Sequence, residues 1–249
     1  MGGHSHWSQI KRQKGGNDAK RGQVFTRLSR EISVAVREGG PDPSMNPRLR
    51  LAIDKAKGEN MPSDTIKRAI ERGGPGDASQ LEEITFEGYG PGGVGILIQT
   101  MTDNRNRTVS SIRQALSRNG GNLGESGTVA WQFEQRGVIN IDPAGTDADE
   151  LALNAIDAGA EDVRIDDGLI EVITGPTDLD KVRRALVDAG TTVTSFELSM
   201  VPKNSVPLDS KHAGSALRLL DVIEDLEDVQ KVYSNAEFPE EALLEYAAS

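Results

Sequence analysis

From residue 17 to residue 40 the chain alternates apolar and polar positions with a helical step. Val24, Phe25, Leu28, Ile32, Ala35 and Val36 recur three and four residues apart, the spacing of a helix that buries one face. Asn17 is the candidate N-cap and Gly39-Gly40 the stop. Lys20, Arg27, Arg30 and Arg37 fall outside the apolar sector and are expected to point away from it, with Arg21 at its edge, able to snorkel. Asn46-Pro47 is an N-cap followed by a first-turn proline, opening a helix that carries Leu49, Ile53 and Ala56 and stops near Gly58. Ser63 is expected to cap a third helix, with Ile66, Ala69 and Ile70, ending at Gly73-Gly74-Pro75. Three short helices cover their apolar stripes only by packing together, so residues 17–74 are expected to form a bundle, with a linker at 73–77.

The pattern changes period after residue 77. Ile84 to Gly88 and Val94 to Thr100 alternate as strands, Thr108 to Ser117 is helical, and Val129 to Phe133 is expected to be a strand. Residues 137–200 give strand Val138 to Ile141, helix Asp147 to Ala158, strand Asp162 to Ile165, a turn at Asp166-Asp167-Gly168, strand Leu169 to Thr174, helix Leu179 to Ala189 and strand Thr192 to Met200. That βαββαβ order is the ferredoxin-like split βαβ arrangement. Ala213 to Leu226 supplies a helix and Val229 to Tyr233 a strand that residues 83–135 lack. The fold class expected is therefore α+β and multidomain. An N-terminal arm and three-helix bundle occupy 1–77, a discontinuous α/β sandwich-type domain is built from 78–135 plus 201–249, and a ferredoxin-like domain, 136–200, is inserted into it at exposed connections. Segments 73–77 and 134–137 are the expected linkers.

Charge divides the chain as sharply as periodicity does. The 249 residues carry a net charge of −11, yet residues 1–73 hold 15 Lys+Arg against 8 Asp+Glu, a net of +7, leaving 13 against 31 and −18 for the remainder. A basic front on an acidic body suits a module that meets a polyanion while the whole avoids binding polyanions indiscriminately. Residues 1–16 are polar and basic, with Trp7 and Ile10 as the large apolar groups, and are expected to form an arm. No apolar run approaches the roughly 18 residues that span a bilayer, and the first 30 residues have no apolar signal core. A cytoplasmic location is expected.

Most catalytic chemistry lacks its residues. With no cysteine, thiol nucleophiles, cysteine-based zinc or iron–sulfur sites and disulfides are excluded. Gly88-Tyr-Gly90-Pro-Gly-Gly93 matches G-x-G-x-x-G, but a strand rather than a helix follows it, so a hairpin turn is expected instead of a dinucleotide site. No Gly-Lys pair provides a P-loop, and His4, His6 and His212 accompany no nucleophile motif. Acidic groups such as Asp147 to Glu150 and Glu224-Asp225 with Glu227-Asp228 lack EF-hand spacing and are expected to be solvated ends and loops. With Met1 removed, Gly2-Gly3-His4 could wrap a square-planar copper or nickel ion, a chance consequence of three residues. No cofactor, metal or catalytic residue is expected.

What remains is phosphate chemistry. Lys11, Arg12, Lys14, Lys20, Arg21, Arg27, Arg30 and Arg37 set eight cations against Asp18 and Glu31, a density suited to phosphate contacts, and Trp7 could stack on an unpaired base. Asp103-Asn-Arg-Asn-Arg-Thr108 opens a helix, where Arg105 and Arg107 could fork onto successive phosphates or pair with local acids. The candidate nucleic-acid residues are Trp7, Lys11, Arg12, Lys14, Lys20, Arg21, Arg27, Arg30, Arg105 and Arg107.

At these residues the chain resembles the YebC/PmpR family, which includes the mitochondrial translational activator of cytochrome c oxidase. The strings that carry the resemblance are Gly3-His-Ser-His-Trp7, Ile10-Lys11, Asp18-Ala-Lys-Arg21, Phe25, Arg30-Glu-Ile32, Asn46-Pro-Arg-Leu49, Asn60-Met-Pro62, Gly88 to Gly93, Asp103 to Thr108, Gly120-Gly-Asn-Leu-Gly124 and Val229 to Tyr233. His6 departs from the family's usual lysine, making a cationic contact there pH-dependent. The resemblance implies three domains, the third inserted in the second, and a non-enzymatic cytoplasmic regulator. Members are described as DNA-binding transcriptional regulators, others as ribosome-associated translation factors that relieve stalling at proline-rich stretches. The expected partner is DNA or ribosomal RNA, the latter on the ribosome. A basic arm suits either. A reading of another class, a small-molecule sensor or enzyme, would use the cleft between the two α/β domains and a buried carboxylate or histidine of perturbed pKa within it.

Overall fold

The computed structural model describes residues 18–74, 81–143, 147–166 and 169–248, the side chains of 18–21, 166 and 169 excepted. The capping site expected at Asn17 and the turn at 167–168 lie outside the described residues. Helices α1 (Asp18–Gly39), α2 (Pro47–Gly58) and α3 (Ser63–Arg72) form the amino-terminal layer. Their core joins Leu28, Ile32, Ala35 and Val36 to Leu49, Ala52, Ile53 and Ala56 and to Ile66 and Ala69. The Asn46 side chain accepts from Leu49 N at 3.0 Å and donates to the carbonyls of Ala35 at 2.7 Å and Gly40 at 2.9 Å, so one cap also ties α2 to the end of α1. Ser63 is not the cap expected of it. It is the first helical residue, and Pro62 occupies the cap position without a side-chain bond.

The first sheet is antiparallel, in the order β3-β1-β2-β9, from β1 (Glu82–Tyr89), β2 (Gly95–Thr102), β3 (Asn122–Leu123) and β9 (Val229–Ser234). Phe86, Ile96 and Ile98 on one face meet Ile112 and Leu116 of α4 (Arg105–Arg118) and Leu217, Leu220 and Ile223 of α7 (Ser210–Glu224). The glycine-rich string at 88–93 is the turn between β1 and β2, with Gly92 and Gly93 at φ +77° and +78°, where L side chains are disfavoured. Beyond β9 the chain adds β10 (Ala236–Glu237), which pairs in parallel with β8 (Val206–Pro207), and α8 (Glu240–Ala248). These three were not anticipated.

The second sheet is antiparallel in the order β5-β6-β4-β7, from β4 (Phe133–Asp142), β5 (Asp162–Asp166), β6 (Leu169–Thr174) and β7 (Thr192–Pro202). Ile139, Ile141, Ile170 and Val172 on one face bury Leu151 and Ala155 of α5 (Ala148–Asp157) and Leu179, Val182 and Leu186 of α6 (Leu179–Asp188). Two expectations fail at the entrance to this sheet. Residues 134–137 are no linker: they lie inside β4, which pairs with β7 from Phe133↔Pro202 to Asp142↔Thr192. Val129 to Phe133 is not a strand either. The Glu87 carboxylate takes the backbone N–H groups of Gly127, Val129 and Ala130 at 2.6, 2.6 and 2.7 Å, which draws the segment off any ladder into a single 3₁₀ turn, Ala130–Gln132, before β4 begins.

Candidate nucleic-acid interface

Of the residues expected to meet nucleic acid, Trp7, Lys11, Arg12 and Lys14 lie outside the described residues. Lys20 and Arg21 stand in the first turns of α1. The structure places Arg27, Arg30, Arg105 and Arg107, and it separates them by role.

Arg27, Arg30, Val34 and Arg37 are three, four and three residues apart, forming a second stripe on α1 beside the apolar one. That stripe is a docking face, which corrects the expectation that its charges project into solvent. The Arg27 guanidinium donates to the carbonyl of Glu224. Burial pushes its pKa down, while Glu224 and Asp225 pull it back up. Arg30, with a side chain 17% exposed, donates to the Glu227 carbonyl at 2.8 Å and carboxylate at 3.2 Å and stands 3.6 Å from Asp228. Val34 is 5% exposed, and Arg37 reaches the carbonyl of Leu81 at 3.3 Å. The segment 224–228 thus presents to α1 the last carbonyl of α7, the carbonyl of Glu227 and the carboxylates of Glu227 and Asp228, a combination attractive to guanidinium groups.

Asp228 also organises the string 103–108. Arg107 donates to its two oxygens at 3.0 and 3.1 Å and to Asp103 at 2.8 Å, and the Thr108 hydroxyl donates to it at 2.8 Å. Those carboxylates hold the Arg107 pKa above its ordinary value, Asp103 foremost. Asn104 caps α4 by accepting from Arg107 N at 3.1 Å. The two readings of the string therefore divide between its arginines. Arg107 pairs with local acids, whereas Arg105 is exposed and has no ion-pair partner among the described residues.

Asp228 meets both Arg30 of α1 and Arg107 of α4, so one carboxylate links the two helices. The sequence of α4, RNRTVSSIRQALSR, contains four arginines and no acid. Arg113 and Arg118 are exposed along it. Sequence reasoning stopped at the head of this helix and missed both; the acid-free run was the available signal.

A cavity of about 1260 Å³ opens where the bundle, the first sheet and the second sheet meet. Lys55 meets Glu31 at 3.4 Å, Lys231 meets Glu197 at 3.0 Å, and Arg48 joins Glu38 of α1 to Glu83 of β1. Tyr233 donates to Gln99 at 3.2 Å, and burial pushes its phenol well up, with Glu197 adding to the shift. Among the described residues no histidine lines this cavity. His212 pairs instead with Asp209 at 2.8 Å. Among the described residues no cluster of His, Asp or Glu is arranged to hold a metal ion, and no helix is long and apolar enough to cross a membrane.

Comparison with known proteins places this geometry. Residues 5–75 match the TACO1/YebC protein N-terminal domain, and residues 81–236 match the TACO1/YebC second and third domain. The chain belongs to the TACO1/YebC family. A relative from Dehalococcoides mccartyi (strain CBDB1), named a probable transcriptional regulatory protein, is 54% identical over 247 residues, covering 99% of this chain and 98% of that one. A relative of the same name from Chloroflexus aurantiacus (strain J-10-fl) is 52% identical over 252 residues, covering all of both chains. The crystal structure of Aq1575 from Aquifex aeolicus, a conserved hypothetical protein, superposes with a TM-score of 0.83 at 42% identity, covering 90% of this chain and 93% of that one. Like it, this TACO1/YebC chain is a mixed α+β protein with three amino-terminal helices and two antiparallel sheets. The relatives are named as regulators, and the family is non-enzymatic.

Proposed function

We propose that this chain is a DNA-binding transcriptional regulator of the cytoplasm, gripping phosphates with its amino-terminal module and α4. The observation that carries the reading is full-length identity above 50% to relatives named as probable transcriptional regulatory proteins. The charge distribution supports it: a front of net +7 on a body of −18, and an acid-free α4 linked to the bundle through Asp228. Within the proposal, Trp7, Lys11, Arg12, Lys14, Lys20 and Arg21 supply the first contact and Arg105, Arg113 and Arg118 the second. Arg27, Arg30 and Arg107 hold the bundle and α4 onto the segment 224–228. We read the three largest buried clusters as the cores of three domains, 1–77, 78–135 plus 201–249, and 136–200, the last ferredoxin-like and inserted through the β4–β7 ribbon.

Ribosomal RNA is the second reading. What favours it is that the candidate contacts are lysines and arginines suited to phosphates, which position a nucleic acid of either kind without reading base edges, as a ribosomal contact requires. A sensor or enzyme in the central cavity is disfavoured, because five of its lining carboxylates, Glu31, Glu83, Glu171, Asp180 and Glu197, each stand in an ion pair. Crosslinking to genomic DNA alongside sedimentation with ribosomes separates the first two readings: enrichment at promoters supports transcriptional regulation, and co-sedimentation without such enrichment replaces it with the ribosomal one. The variant R105A/R113A/R118A is expected to weaken binding by a similar factor on every sequence tested, as lost phosphate contacts do. Unchanged affinity would remove α4 from the interface.

A further inference from the structure

At the root of the β4–β7 ribbon the structure displays a tryptophan. Trp131 is 66% exposed, in the 3₁₀ turn that precedes β4. Burial cannot account for its presence there, and nothing about its geometry is loose. Its indole N–H donates to the Thr128 carbonyl at 3.1 Å, and the Tyr89 hydroxyl donates to the same oxygen at 3.1 Å. The backbone beneath is clamped by the Glu87 carboxylate through the N–H groups of Gly127, Val129 and Ala130. On the other side the Gln132 amide oxygen accepts from Asn235 at 2.7 Å. The ring is therefore held with its one polar donor already used, and what it offers to a partner is a flat π surface.

Lys203 stands beside it. Its backbone N–H donates to Gln132 O at 2.8 Å and its ammonium to the Trp131 carbonyl at 3.1 Å. This exposed lysine has no carboxylate partner among the described residues, on a body whose net charge is −18. An ammonium carries three donors and here commits one to the carbonyl, so two remain for an anion within reach of the indole.

We propose that Trp131 and Lys203 form a landing point for an unpaired nucleotide, the base stacking on the indole and its phosphate meeting the ammonium. The inference rests on the nucleic-acid reading above and adds a single-strand contact to it. A stacking platform fits these residues better than a protein contact does. A protein-binding hot spot is seated in a water-excluding apolar patch, whereas the apolar neighbours of this tryptophan in the chain, Val129 and Phe133, are turned into the core, and the group that stands beside it is a lone cation. Stacking needs only a π face and a nearby positive charge.

The test uses the full chain and a fluorescein-labelled 20-nucleotide single strand, oligo(U) or oligo(dT), beside a duplex of the same length. With Trp7→Phe leaving Trp131 as the only tryptophan, its emission is expected to be quenched along the same curve as the anisotropy of the labelled strand. In the otherwise native chain, Trp131→Ala is expected to weaken single-strand binding about five- to a hundredfold, the range of one lost base stack. Trp131→Phe should recover part of that, and Lys203→Ala should lower the affinity and its salt dependence together. Duplex binding should change less. Emission that stays constant while the strand binds, or a Trp131→Ala protein with native single-strand affinity, overturns the inference and leaves the nucleic-acid reading standing. Native affinity for both strands in Trp131→Ala, with loss of a defined protein partner, makes the surface a protein contact and likewise overturns it. A native chain that binds neither strand brings down the underlying reading instead.

Discussion

Single side chains decide whether the polar interior of this protein holds or fails, and Glu87 is the clearest of them. It is buried at 6% exposure, and burial by itself would raise its pKa. The three backbone N–H groups of Gly127, Val129 and Ala130 outweigh burial and hold the pKa below the ordinary glutamate value. A carboxylate with a depressed folded pKa contributes stability that is fully present above its unfolded pKa and is lost as the pH falls through the folded one. The acid limb of the stability profile of Glu87→Gln is therefore expected to be shallower than that of the native chain. Glu87→Ala strands three donors and should cost about 3 kcal/mol or more, since hydrogen bonds to charged groups contribute about 1.5–3 kcal/mol each. Urea melts recorded from neutral pH down to the acid transition check both. Parallel profiles for Glu87→Gln and the native chain would show that the loop is held by something else.

At the scale of elements, helix α1 shows what one sequence can and cannot disclose. Its apolar stripe, Val24 to Val36, was legible because periodicity is local information. Its second stripe was not, because Arg27 and Arg30 find their acceptors 197 residues away, at 224 and 227. Val34, an aliphatic residue interrupting the charged face, was the one local sign of a second buried surface. The same limit explains Val129 to Phe133, where strand-forming residues are overruled by a carboxylate on β1, and 134–137, which form the first part of a ribbon completed only by β7. Asn46-Pro47 and the βαββαβ order were readable because caps and short-range alternation are set by neighbours in sequence. Bundle packing itself is open to a direct comparison of two glycines. A Cβ on Gly73 would stand 2.5 Å from Ser33 O and 2.6 Å from Val36 Cβ, whereas one on Gly22 meets nothing within 4 Å. Gly73→Ala is expected to lower stability by about 1–3 kcal/mol through overpacking, and Gly22→Ala, inside α1, to raise it by about 0.5–1 kcal/mol. Thermal melts of the two variants should move in opposite directions; equal shifts would mean that α1 and α3 do not pack as described.

Across the whole molecule, one acidic segment joins two cation-bearing elements. Arg27 and Arg30 of the bundle and Arg107 of α4 all meet the segment 224–228, which ties α1 to α4. The candidate site was thus half legible. The residues that supply cationic surface and those that position it looked identical in sequence, since both are arginines spaced along helices, and tertiary acceptors alone separate them. The account's central claim is that the amino-terminal cations bind phosphates. Its most direct test is the slope of log affinity against log salt for duplex DNA and for a ribosomal RNA fragment, comparing the native chain with K11A/R12A/K14A. If each of the three side chains displaces one counterion, the slope on duplex DNA becomes shallower by about 2.7, with a parallel loss of affinity on both ligands. A variant whose slope and affinity match those of the native chain on both would contradict the claim.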